Sequence, residues 1–78
     1  MPFSQDLINE INMLVRYNLN SSFEGLKVHS SADPIIISAT QRLFQKGLVS
    51  QVDGGYLTEL GREAAEHADA LQSILNSN

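Results

Sequence analysis

Arg42-Leu43-Phe44-Gln45-Lys46-Gly47-Leu48-Val49, followed by Asp53-Gly54-Gly55-Tyr56-Leu57-Thr58 and Leu60-Gly61-Arg62, is the stretch on which the fold turns. Gly47 takes the left-handed backbone conformation that ends a helix at little steric cost. Arg42 and Lys46 stand in the last turns of that helix, where its dipole favours cations. Leu48 to Val52 alternates apolar and polar residues, the period of a strand. Asp53-Gly54-Gly55 then supplies a turn before Tyr56-Leu57, so the pattern predicts a β-hairpin. Thr58 is an N-cap for a final helix, with Glu59 and Glu63 in or near its first turns.

Working outward, Asp33-Pro34 opens the helix that Gly47 closes. Asp33 caps free N–H groups, and Pro34 at the first helical position forfeits no hydrogen bond. The helix is predicted over Pro34–Lys46. Near the amino end, Ser4 caps a run with Leu7, Ile8, Ile11, Leu14 and Val15 at helical spacing, which predicts a helix over residues 5 to 17. Asn20-Ser21-Ser22 reads as a loop. Phe23 to His29 fits either a short helical turn or an extended piece, and residues 19–30 stay open between the two. The last helix continues through Leu71, Ile74 and Leu75 and frays at residues 76–78. The expected class is α+β, one domain over residues 1–78, in the order helix, connector, helix, β-hairpin, helix.

Over residues 34–65 the chain resembles the second half of winged helix-turn-helix domains, most of all the MarR and PadR regulator types. The resemblance implies a winged-helix-like fold in which Pro34–Lys46 is the recognition helix and the hairpin is the wing. Aligning Leu43 with the buried leucine of those families puts Ile36, Thr40 and Leu43 inward. Ile35, Ile37, Ser38, Gln41, Arg42 and Gln45 then face outward or sideways. Three consecutive isoleucines sweep about 200° of helix surface, so one face cannot bury them all. Two departures stand out. Only Asn18 to Ala32 is available for the helix that usually precedes the recognition helix, and the wing tip is acidic where a DNA wing carries Arg or Lys. The whole chain is also similar to a small group of uncharacterised bacterial proteins of like length, which adds nothing about activity.

Composition narrows the role. A chain of 78 residues buries only about 60% of its unfolded surface, so its core is thin. Charged residues make up 18%, and the net charge of −4 argues against a general polyanion binder. Residues 11–52 carry Arg16, Lys27, Arg42 and Lys46 against Glu24 and Asp33, so the middle of the chain is mildly basic. Four scattered cations fall short of the roughly 6–10 phosphate contacts of a strong DNA binder. The longest aliphatic run, Ile35-Ile36-Ile37, is far below the ~20 residues of a membrane span. No export signal is visible in Met1 to Val15, so no membrane partner is expected and the expected location is the cytoplasm.

Nothing points to catalysis. There is no nucleophile of the G-x-S-x-G kind, no phosphate-cradling glycine loop, no cysteine and no carboxylate pair in an apolar setting. No enzyme activity, cofactor, metal or small-molecule substrate is expected. His67 stands four residues after Glu63 but has no second histidine nearby, and reads as a rim residue rather than a ligand. His29 reads as a turn residue. Leu60, Ala64, His67, Leu71 and Ile74 form a stripe stepping by three and four, and Leu7, Ile11 and Leu14 offer matching spacing in the first helix. These are the candidate seam of a homodimer, the plainer alternative being that they pack on each other within one monomer. The expected function is therefore a non-catalytic regulatory or protein-interaction module, dimeric, whose partner is another protein or itself. Its expected partner face is Ile35, Ile37, Ser38, Gln41, Arg42, Gln45 and Lys46. The alternative is a DNA-binding transcription regulator that lays the 34–46 helix in the major groove.

Overall fold

Three side-chain oxygens fix where the helices begin. Ser4 Oγ accepts from the Leu7 N–H at 3.2 Å, Asp33 Oδ1 from Ile35 at 2.9 Å and Thr58 Oγ1 from Gly61 at 3.0 Å. In the computed structural model, which describes residues 2–21 and 24–77, they open α1 (Gln5–Leu14), α2 (Pro34–Gln45) and α3 (Glu59–Asn76). Between the helices lie β1 (Leu26–Lys27), β2 (Val49–Gln51) and β3 (Gly54–Leu57), an antiparallel sheet in the order β1-β3-β2. The class is α+β. Ser22 and Phe23, read from sequence as loop and undecided segment, lie outside the described residues.

Several expected boundaries move. The first helix stops at Leu14 rather than residue 17, because Arg16 and Tyr17 donate to Met13 and Leu14, three residues back, in a tighter closing turn. That turn swings Tyr17 into the core, where it is 6% exposed. The undecided connector contains a strand, with Leu26 and Lys27 paired to Gly55 and Gly54. The hairpin turn is Val52-Asp53, because Gln51 pairs directly with Gly54, and both glycines belong to β3 rather than to the tip. They are glycines because the backbone there is crowded and left-handed. Gly54 has φ 119°, and a Cβ on it would lie 2.6 Å from the Leu26 carbonyl oxygen. The register shifts between Val49 and Gln51, and Ser50 Oγ accepts the Tyr56 N–H at 2.9 Å at that irregularity.

The core gathers Met13, Leu14 and Tyr17 at the end of α1, Leu43 of α2, Val49 of β2 and Ala65 of α3. Leu43 is fully buried, and the inward placement expected of Thr40 and Leu43 holds, with Ala39 joining them and Ile36 half-buried. Gly47 ends α2 with φ 80°, as its sequence position predicts. The two ends of the hairpin are then tied at one residue. Thr58 Oγ1 donates to the Gly47 carbonyl at 2.6 Å while accepting from Gly61, and the Thr58 N–H donates to Leu48 O at 3.0 Å. The first turn of α3 is consequently pressed onto the Leu48 backbone, and a Cβ on Gly61 would collide with the Leu48 carbonyl. From the next position, Arg62 donates to the carbonyls of Leu19 at 2.8 Å and Ser21 at 3.3 Å, strapping the connector to α3.

These two glycines are held by different forces, and urea unfolding will separate them. Gly47→Ala meets no atom within 4 Å and should cost about 1 kcal/mol through backbone strain alone. Gly61→Ala must displace backbone and should cost about 3 kcal/mol, at the upper end of overpacking effects. Equal losses for the two would show that α3 is not pressed on Leu48.

Candidate functional site

The outward surface of α2 was the expected partner face, and its residues divide into two sets. Ile35 is 56% exposed, and Ser38, Gln41 and Gln45 are exposed beyond it, while Ile37 is half-buried. Arg42 and Lys46 are occupied. The Glu10 carboxylate of α1 is 4% exposed and lies between them, accepting from Arg42 Nε at 2.9 Å on one oxygen and from Lys46 Nζ on the other. Asp6, one turn earlier, stands 3.8 Å from Arg42 Nη2. Burial pushes the Glu10 carboxyl upward, but the hydrogen bonds and charges of Lys46 and Arg42 outweigh it and hold the group below its ordinary value.

Glu10 is assigned no role from the sequence. A usable signal existed, because Glu10 sits three residues after Leu7 and four before Leu14, in line with the apolar stripe. A carboxylate placed there needs a cationic partner. Tyr17 was missed as well. Its hydroxyl has no hydrogen-bond partner among the described residues, and burial, with a contribution from Asp53, raises its pKa.

The expected dimer seam does not form one face. Leu14 lies in the core at 5% exposure, Leu7 is 39% exposed, and Ile11 and Ala64 are half-buried. The inward line of α3 runs Gly61, Ala65, Ala68, one position after the expected stripe. Leu60, His67 and Ile74 therefore face solvent beside it. Leu71 does border a feature of interest, a groove of about 310 Å³ between α1 and the C-terminal half of α3. Ile8, Ile11 and Val15 form one wall, and Ala68, Leu71 and Leu75 the other. No charged side chain among the described residues lines it. An 18-residue helix extends about 27 Å, against about 15 Å for the ten residues of α1. Leu71, Ile74 and Leu75 are left 44%, 68% and 73% exposed. No helix among the described residues is long and apolar enough to cross a membrane.

Comparison with known proteins gives a family whose function is unknown. A family model described as a family of unknown function (DUF5669) matches residues 1–76. No curated protein and no solved structure matches the chain.

The Glu10 clamp has a pH signature. Because the folded carboxyl titrates below its unfolded value, the unfolded chain takes up more protons on acidification. The clamp's stabilisation is thus complete above the ordinary value of 4.5 and is lost as pH falls through the lowered one. Glu10→Gln should cost about 2 kcal/mol at pH 7, since charge-assisted bonds are lost but both cations reach water. The gap between wild type and variant should close toward pH 3. A gap constant from pH 7 to pH 3, in urea titrations, would falsify the assignment.

Proposed function

We propose that this chain, which belongs to the family of unknown function DUF5669, works as a non-catalytic interaction module with a winged-helix-like layout and acts as a homodimer. The order of elements, with a short hairpin directly after α2, supports that layout. One observation carries the role: the cations that would engage phosphate on α2, Arg42 and Lys46, already share the Glu10 carboxylate. Affinity for nucleic acid comes largely from neutralising phosphates and releasing their counterions, and a cation with an internal counter-charge contributes little to it. With those charges spent, α2 presents Ile35 flanked by Ser38, Gln41 and Gln45, an apolar anchor with a polar rim suited to a protein surface. The uncharged groove between α1 and α3 is the surface for self-association. It lets two acidic copies meet without opposing carboxylates, and a two-fold arrangement uses the same patch on both.

A second reading, DNA recognition by α2, draws on the exposure of Ser38, Gln41 and Gln45 at steps of three and four along one side. Such side chains pair with base edges in the major groove.

Two measurements separate these roles. At micromolar concentration the protein should leave genomic duplex fragments unshifted in about 0.1 M salt. A salt-sensitive, sequence-selective shift lost in the Arg42→Gln/Lys46→Gln variant would establish the DNA reading instead. Sedimentation equilibrium should find a dimer at tens of micromolar. Leu75→Glu should give a folded monomer, because that side chain is 73% exposed and contributes little to the core. A monomeric wild type at high micromolar concentration removes the dimer.

A further inference from the structure

We infer that the cleft between α2 and the hairpin turn binds a small aliphatic zwitterion, of which a branched-chain α-amino acid is the simplest. The cleft holds about 430 Å³, in the lower part of the ~300–1,000 Å³ range of small-molecule sites. Its surface divides by chemistry. Val28, Ile37 and Val52 make an aliphatic lining drawn from three different segments of the chain. Thr40 adds to it with its hydroxyl already donated to the Ile36 carbonyl at 2.8 Å.

Around that lining stand Lys27, His29, Gln41 and Asp53. None of these four side chains makes a hydrogen bond or ion pair with a described residue. They are free to meet a ligand, unlike Glu10, Arg42, Lys46 and Arg62, which have internal partners. Lys27 and Asp53 carry opposite charges into one cleft yet form no ion pair with each other. A purely anionic ligand meets Lys27 but is repelled by Asp53, and a purely cationic one has the reverse difficulty. A molecule carrying both charges satisfies both, with carboxylate toward Lys27 and His29, ammonium toward Asp53, and an aliphatic chain on Val28, Ile37 and Val52. The cleft shares Ile37 and Gln41 with the partner face of α2, so its occupant adjoins that face. The zwitterion site nonetheless stands whether or not the module reading does.

The test is a ¹H–¹⁵N chemical-shift titration of the full chain with three probes: L-leucine, L-leucinamide and 4-methylpentanoate. L-leucine should give saturable shifts clustered at Lys27, His29, Ile37, Gln41 and Asp53. Leucinamide, which lacks the carboxylate, and 4-methylpentanoate, which lacks the amine, should each bind about ten-fold more weakly, the loss of one charge contact. Lys27→Gln and Asp53→Asn should weaken L-leucine to a similar degree, while Leu75→Ser, in the α1/α3 groove, leaves it unchanged. The two single-charge probes make the comparison without any substitution, so a poorly folding variant does not obscure it. Absence of saturable shifts up to about 50 mM L-leucine overturns the site. Equal binding of all three probes overturns the zwitterion and leaves only an apolar cleft. Neither result bears on the dimer or on DNA binding, which are read by sedimentation and gel shift.

Discussion

Glu10 is the residue through which the first helix is committed to the second. A carboxylate buried at 4% exposure is costly unless its charge is answered, and here both oxygens are answered from one helix, by Arg42 and Lys46 one turn apart. Much of the remaining arrangement follows. With α1 laid against α2 in this register, Met13, Leu14 and Tyr17 arrive over Leu43. The opposite side of α1, with Ile8 and Val15, is turned toward α3 and forms the uncharged groove. The same contact bears on what α2 can offer to a partner, since it engages two of the protein's five Lys and Arg residues with an internal carboxylate.

The hairpin and α3 depend on a second constraint, which is steric. Gly47, Leu48, Thr58 and Gly61 bring the end of α2, the root of β2 and the start of α3 to one point, with Thr58 bonded to the first two and capping the third. A threonine suits that point because one hydroxyl both donates and accepts. Gly61 suits it because the Leu48 carbonyl occupies the place of a side chain. In a domain with a thin core, such backbone-to-backbone closure fixes the angle of α3 without needing large buried side chains. It also explains why only Gly61 and Ala65 of that long helix are fully buried.

What the sequence made legible was the local chemistry. The three caps, Pro34 and the Gly47 stop rest on interactions within a few residues, and each stands where the residue types place it, whereas the inward set of Thr40 and Leu43 came from the resemblance. What it hid was long-range pairing. Leu26–Lys27 is too short to show a period of two, and becomes a strand only because Gly54 and Gly55 accept its backbone. The glycines were read as a turn for the same reason, since a glycine needed for a close approach and one needed for a turn look alike from within the segment. The core-facing line of α3, Gly61 and Ala65, runs one position after the seam residues Leu60 and Ala64, which leaves Leu60, His67 and Ile74 exposed. Heptad spacing gives the period of a stripe but not its phase, and here the phase is set by Gly61, an apolar-stripe position with no side chain.

The distribution of charge joins these two constraints. The acids of α3, Glu59, Glu63, Glu66 and Asp69, all lie in the first two-thirds of the helix, and residues 70–77 carry none. The acids of α1, Asp6 and Glu10, are turned to Arg42 and Lys46. The α1/α3 groove is thus neutral because its neighbours' charges are held on other faces. If two such grooves meet about a two-fold axis with α3 antiparallel to its counterpart, the charge-free ends overlap and the acidic beginnings diverge. A parallel arrangement would instead align Glu63 with Glu63 and Glu66 with Glu66, and repulsion between like charges disfavours it. Such an antiparallel pairing would leave α2 and the cleft beside it outside the contact, so that the surface proposed for self-association and the cleft proposed for a ligand would be separate surfaces of the same small domain.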